Sequence, residues 1–282
     1  MTVVKAAAVQ ISTVLYSREA TVATGVQKIH ELGEKRVKFA TFPETVVPYY
    51  PYFSAVQTFI QILSGTEHLR LLEQSVTVLS PATDAIGEAA RKAGMVVSTG
   101  VNERDGGTIY NTQLLFDADG ALIQRRRKIT PTHFRTHGLG PGRRLGPARR
   151  RQRRGPHRAV GLLRAQQPAG ALHDEADGEQ IHSAMYPGSA FGEGFAPRME
   201  SNIRQHAPES GCFVVNATAW LDAEQQAQIM KDTGCAIGPI SGGCFTTIVA
   251  PDGTPIGEPL RSPRTSSSRT AHAYARPRCA QE

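Results

Sequence analysis

Between residues 3 and 130, short runs of β-branched and small apolar residues alternate with stretches of helical periodicity, and few architectures accept that alternation. Val3 to Ile11 (VVKAAAVQI) reads as a buried strand. Ala20 to Gly33 has helical spacing, and Val37 to Phe42 is a second apolar run that stops at Pro43-Glu44. Ala82 to Gly94 carries an N-cap candidate in Thr83 and a terminal glycine, which predicts a helix feeding the strand Met95 to Val101. Thr108 to Asp117 and Ala121 to Ile129 flank the turn Ala118-Asp119-Gly120, a hairpin signal. Helices and strands in this order bury their apolar faces only as stacked layers, so the expectation is a layered α/β domain.

A second regular block runs from about Gly178 to Leu260. Ile181 to Tyr186 predicts a strand, and Phe195 to Ser210 predicts a helix ending at Gly211. Cys212 to Ala217 and Cys244 to Ala250 are short apolar strand candidates, and Pro251-Asp252-Gly253 is a tight turn into Thr254 to Leu260. At 282 residues and 40% hydrophobic content the chain can bury one sizeable core, so one domain over 3–260 is the expectation.

The net charge of +7 invites a nucleic-acid reading until it is located. Arg143 to Arg158 (RRLGPARRRQRRGPHR) holds eight arginines, no acid and no aromatic residue that could stack on a base. An arginine run binds phosphate without sequence preference. It also has no apolar periodicity to bury, so an irregular, exposed segment is expected and nucleic acid is disfavoured as a partner. No run of eighteen apolar residues and no charged leader is present, which points to a cytoplasmic protein without a membrane span. The four cysteines, Cys212, Cys235, Cys244 and Cys279, show no CxxC spacing, so no metal site is expected and the thiols stay reduced.

Several ordered motifs carry a resemblance. FATFPETVVPYYPYF, with Glu44 directly after a strand, resembles the first signature of the nitrilase superfamily of carbon–nitrogen hydrolases, although Tyr49 stands where many members have glycine. RRRKITPTH, with Lys128 at the end of a hairpin strand, is similar to the motif that carries the family's catalytic lysine. VNERDGGTIYNTQLLFDADG, DGEQIHSAMYPGS, SGCFVVNATAW and GGCFTTIVAPDG extend the likeness over about three quarters of the chain. The resemblance implies a four-layer αββα sandwich and cofactor-free hydrolysis of a nitrile, closest to bacterial enzymes of aromatic and arylaliphatic nitriles. It also implies a homo-oligomer. An amidase or a cyanide-degrading enzyme is the alternative within the family. A catalytically dead binding or scaffold protein is the alternative outside it.

The chemistry implied needs three groups. A thiolate attacks the nitrile carbon, a carboxylate takes and returns the proton, and a buried cation stabilises the charge that develops. Glu44 and Lys128 take the second and third roles by resemblance. Each taken singly also reads as something plainer: Glu44 as a surface turn acid, and Lys128 as the last of four cations on an exposed edge strand. The first role has no residue. The family's Cys-Trp-Glu-His-like segment lands on Leu162, and none of the four cysteines is near it. Cys212, Cys235 and Cys244 read as small buried hydrophobes.

A change of reading frame accounts for the loss. With suitable synonymous codons, Leu162 to His173 read one base later gives Cys-Cys-Glu-His-Asn-Asn-Pro-Leu-Ala-Arg-Tyr, close to the family's nucleophile segment. Arg135 to Gly146 at the same offset gives Glu-Arg-Met-Val-Trp-Gly-Gln-Gly-Asp-Gly-Ser-Gly, which restores a second family glutamate at the position of Arg135. Residues 134–175 are therefore read as irregular and non-native, with a slip near Phe134 compensated near Ala176. Ser262 to Arg269 read two bases later gives Ala-Glu-Asp-Glu-Leu-Ile-Val-Ala, similar to a strand near the family's oligomer-forming tail. Residues 261–282 are accordingly read as a non-native, truncated tail, which puts oligomerisation in question.

Overall fold

A computed structural model describes residues 3–128, 144–145, 179–188, 192, 194–235, 243–261 and 269–275, with 144–145 and 269–275 described by backbone alone. The first strand, β1 (Val4–Ser12), shows why its sequence does not alternate. Val4, Ala6 and Ala8 face one apolar cluster while Ala7, Val9 and Ile11 face another, and all are 2% exposed or less. A strand buried on both faces reads as a continuous apolar run. Helix α1 (Arg18–Glu34) starts where the Ser17 hydroxyl accepts from the Ala20 amide at 3.2 Å, and it buries Val22, Ile29 and Leu32 on one stripe. Strand β2 (Phe39–Thr41) follows, then a 3-10 turn at Tyr52–Ala55 and two short helices, α2 (Phe59–Ser64) and α3 (Glu67–Gln74), which the sequence pattern did not reveal.

Helix α4 (Pro81–Ala93) is capped one turn earlier than expected. Ser80 is the N-cap, Pro81 takes the first helical position, and Thr83 is the third residue of a capping box rather than the cap itself. Gly94, left-handed at φ 56°, closes the helix. β3 (Val96–Asp105) pairs antiparallel with β4 (Thr108–Phe116), and the expected hairpin forms from β4 and β5 (Leu122–Arg127). β6 (Arg144–Leu145) pairs with β5, so β5 is not the edge its four cations suggested. Apart from those two residues, the basic segment Arg143 to Arg158 lies outside the described residues. Beyond it come β7 (Ile181–Tyr186), α5 (Phe195–Ser210), β8 (Phe213–Trp220), α6 (Ala223–Thr233) and β9 (Thr247–Val249). The stretch Thr254 to Leu260 makes only isolated bridges, at Pro255 and Leu260, because Pro255 and Pro259 have no amide proton to offer a ladder. β10 (Arg269–Ala275), within the tail read as out of frame, pairs antiparallel with β1.

All ten strands join in one hydrogen-bonded sheet, ordered β6-β5-β4-β3-β2-β1-β8-β7 with β9 on β8 and β10 on β1. Its two halves meet along a narrow seam: β8 pairs only with Gln10 to Ser12 of β1, while β10 pairs with Val4 to Gln10. The halves splay and fold onto each other. Thr41 of β2 lies 2.9 Å from Ser183 of β7, three strands away in the order, hydroxyl to hydroxyl. One apolar cluster fills the space between the halves, with Phe39, Val96 and Leu115 on one side and Ile181, Val215 and Ile248 on the other. The outer face of the first half packs under α1 and α4, and the outer face of the second packs under α5. The result is the four-layer αββα sandwich, with the two β layers made from a single curled sheet rather than two separate ones.

Candidate active site

Strands β2, β1, β8 and β7 run parallel, so their C-terminal ends share one rim of the sandwich. Glu44 leaves β2 at that rim. The segment Phe42 to Val47 is held against β3 by main-chain bonds: Phe42 N–H to Ser98 O at 2.8 Å, Gly100 N–H to Pro43 O at 3.2 Å and Val47 N–H to Gly100 O at 3.3 Å. Gly100 makes this approach possible. A Cβ on it would stand 2.6 Å from Pro43 O and 2.8 Å from Glu44 Cα, and it would also strike the Thr45 amide. Thr45 itself takes φ 44°, a left-handed turn that re-aims the chain after Glu44.

The Glu44 side chain is 3% exposed, which rules out a surface turn acid. Its Oε1 accepts from Asn111 Nδ2 at 2.7 Å and from Lys128 Nζ at 3.0 Å. Asn111 sits on β4, and Lys128 leaves β5 beside it with its amide donating to Asn111 O at 2.7 Å. The cation is therefore registered to the amide by the ladder itself. The amide side chains of Asn111 and Gln113 within the buried part of β4 were the available signal for this third residue, and sequence reasoning passed over it. A buried carboxylate held by a cation and an amide can exchange a proton with a group beside it while the cation faces developing negative charge. Glu44 also raises the phenol of Tyr186, at the end of β7, which burial already holds well above the ordinary tyrosine range. Tyr186 is thus a neutral phenol.

Around this centre the sandwich is braced by buried polar groups. Gln113 donates to Ser98 Oγ at 2.7 Å and Ser183 donates to the same oxygen at 3.0 Å, continuing the contact to Thr41. Behind Lys128, Glu103 is fully buried and binds Arg125, Arg127 and the Thr112 hydroxyl, the last at 2.8 Å. Arg127 also reaches Asp105 at 2.5 Å and lies over the Tyr110 ring at 3.7 Å. Two cations of β5, Arg125 and Arg127, are therefore paired from β3. Tyr49 is buried edge-on against Tyr16 with ring centres 5.3 Å apart.

The family model described as carbon-nitrogen hydrolase matches residues 5–269. The chain belongs to the carbon–nitrogen hydrolase family. This hydrolase is 75% identical over 262 residues to Nitrilase 3 of an unknown prokaryotic organism, covering 93% of the chain and 79% of that protein. It is 43% identical over 259 residues to a nitrilase of Paraburkholderia phymatum, covering 92% and 75%. Among solved structures, a mutant amidase from Nesterenkonia sp., showing Michael addition of acrylamide at its active-site cysteine, superimposes with a TM-score of 0.66. It shares 16% identity, over 95% of this hydrolase and 91% of that chain, which shows the fold.

Four positions singled out from the sequence remain. Glu44 and Lys128 are brought together, and Leu162, like Arg135, lies outside the described residues. Cys212 and Cys244 are buried, and Cys235 is partly exposed. No helix among the described residues is long and apolar enough to cross a membrane.

Proposed function

We propose that this hydrolase is built as a nitrilase, with Glu44 as general base and acid, Lys128 as the stabilising cation and Asn111 as the group that positions Glu44. The observation that carries the reading is the single buried carboxylate oxygen shared by Lys128 and Asn111 where β2 ends. In the complete reaction Glu44 takes the proton of a cysteine thiol as sulfur attacks the nitrile carbon, and the nitrogen collects a proton to give a thioimidate. One water adds to that carbon, the carbon–nitrogen bond breaks and ammonia leaves with a proton returned by Glu44. A second water then cleaves the thioester to the acid and frees the thiol. Lys128 faces the negative charge of each tetrahedral state. No cofactor takes part, and aromatic or arylaliphatic nitriles are the substrate class.

The chain has no cysteine between Lys128 and Cys212, so the base and cation stand without their nucleophile. Loss of the nucleophile in a covalent mechanism costs several orders of magnitude in rate. The protein should release no ammonia from phenylacetonitrile above background. A version with the reading frame restored between Phe134 and Ala176 should regain turnover, and Leu162→Cys alone should not, because its neighbours remain out of frame. Activity in the unaltered chain that disappears on mutating one of its existing cysteines would overturn the proposal. Restored turnover on amides but not nitriles would favour an amidase instead. The four cysteines, with no CxxC spacing, fit a cytoplasmic setting. Exposed apolar residues on α2 and α3, Phe59, Ile60, Leu63 and Leu69, fit a homo-oligomer.

A further inference from the structure

At the opposite end of the same strands, the fold gathers a second set of chemically capable side chains. Glu179 lies two residues before β7, Cys212 immediately precedes β8, and His206 lies in the last turns of α5. Gly211, left-handed at φ 63°, turns the chain out of α5 so that Cys212 enters the sheet beneath His206. One ligand atom from each of Glu179, His206 and Cys212 lies within 4.8 Å of the other two. His206 is 2% exposed and Cys212 1% exposed, and the Glu179 side chain is 4% exposed. His182 packs against His206 with ring centres 4.1 Å apart and the rings tilted by 51°, and its Nδ1 is 3.2 Å from Glu179 Oε1. The Nε2 atoms of His182 and His206 are both buried without a hydrogen-bond partner among the described residues. Two such nitrogens in one cluster need an explanation, because buried polar atoms are almost always satisfied by protein, water or an ion.

We infer that Glu179, His206 and Cys212 form a binding site for one zinc-class divalent cation, with His182 orienting the Glu179 carboxylate. A thiolate, an imidazole and a carboxylate are the donor types that zinc accepts, and the mixture suits it better than magnesium or calcium, which take oxygen ligands. Ligand atoms around one zinc ion sit roughly 3.5 Å apart, so rotamer adjustments of about 1 Å close the cluster. The Cys212 thiol loses its proton to solvent as the sulfur–metal bond forms, so uptake releases acid. The histidine–carboxylate contact is the kind that fixes a ligand's direction in metal sites. Nothing in the local sequence announces the site: its ligands come from two strand starts and one helix end. Glu44 leaves β2 at the other rim, about 20 Å away along a six-residue strand, so the ion would clamp α5 to β7 and β8 rather than meet substrate.

Cobalt(II) titration of the purified protein tests this, because thiolate-to-cobalt charge transfer absorbs in the near ultraviolet. The expected result is one cobalt per chain with that band, displaced by zinc. Cys212→Ser should abolish the band, His206→Gln should weaken binding at least ~10-fold, and Cys235→Ser should leave both unchanged. X-ray absorption on the zinc-loaded, unaltered protein should find one sulfur neighbour together with nitrogen and oxygen, whatever the variants' stability. A metal shell without sulfur, or a band that survives Cys212→Ser, would overturn the assignment.

Discussion

Gly100 lies in an extended strand whose backbone any residue can adopt, so its role is spatial. The strand carrying the Glu44 segment approaches so closely that a Cβ would meet Pro43 O at 2.6 Å and Glu44 Cα at 2.8 Å. Both are backbone atoms, and they can yield only by moving Glu44. Gly100→Ala should cost roughly 2–4 kcal/mol of stability, read by urea denaturation. Gly107→Ala is the control: nothing lies within 4 Å of its added methyl, and its effect should stay within about 0.5 kcal/mol. Equal effects at the two positions would mean that the close approach is not what fixes Glu44.

Helix α1 contains two glycines with opposite consequences. Gly33 sits where α1 meets α4, and a Cβ there would stand 2.8 Å from that of Ala93, so alanine would push the helices apart. Gly25 faces a small apolar cavity of about 20 Å³ shared with Val22, Ile29, Phe42 and Val46, and a Cβ there meets nothing within 4 Å. Gly25→Ala removes a mid-helix glycine and places a methyl toward empty space. It should stabilise the protein by about 1 kcal/mol, seen as a rise in Tm of about 2–4 °C for a domain of this size. Gly33→Ala should lower Tm. A fall in Tm for Gly25→Ala would show that α1 cannot sit as described.

For the molecule as a whole, acid stability should depend on Glu103. Burial raises its carboxyl pKa, but hydrogen bonds from Arg125, Arg127 and Thr112 together outweigh burial and hold it below the ordinary glutamate range. A carboxyl whose folded pKa is depressed contributes stability above its unfolded value, near ~4.3, and loses that contribution as pH falls toward the folded value. Unfolding free energy should therefore decline below about pH 4.3. Glu103→Gln, which leaves Arg127 with Asp105 alone and Arg125 without its carboxylate, should cost about 3 kcal/mol at neutral pH. The gap between variant and parent should narrow in acid, and a gap independent of pH would remove Glu103 from the account. The grip matters beyond stability, because β3, β4 and β5 are the ladder that carries Asn111 and Lys128 to Glu44.

The sequence by itself determined the elements whose periodicity is local: the uninterrupted apolar β1, the amphipathic α1 and α5, the α4 ending at Gly94 and the hairpin through Asp119-Gly120. It also named Glu44 and Lys128, because both stand inside strand-end motifs. It did not reveal α2, α3 or α6, which are short and draw on contacts with other elements, and it put the cap of α4 at Thr83 instead of Ser80. Only the tertiary structure decided what depends on distance across the chain. The sheet curls because β1 shares its second edge between β8 and β10. Asn111 joins the site because β4 lies beside β5, Arg125 and Arg127 of β5 are paired because Glu103 waits on β3, and Glu179, His206 and Cys212 converge because α5 returns its chain to the start of β8. Periodicity records which face of an element is buried, whereas a site is a set of side chains that meet only after the layers have packed.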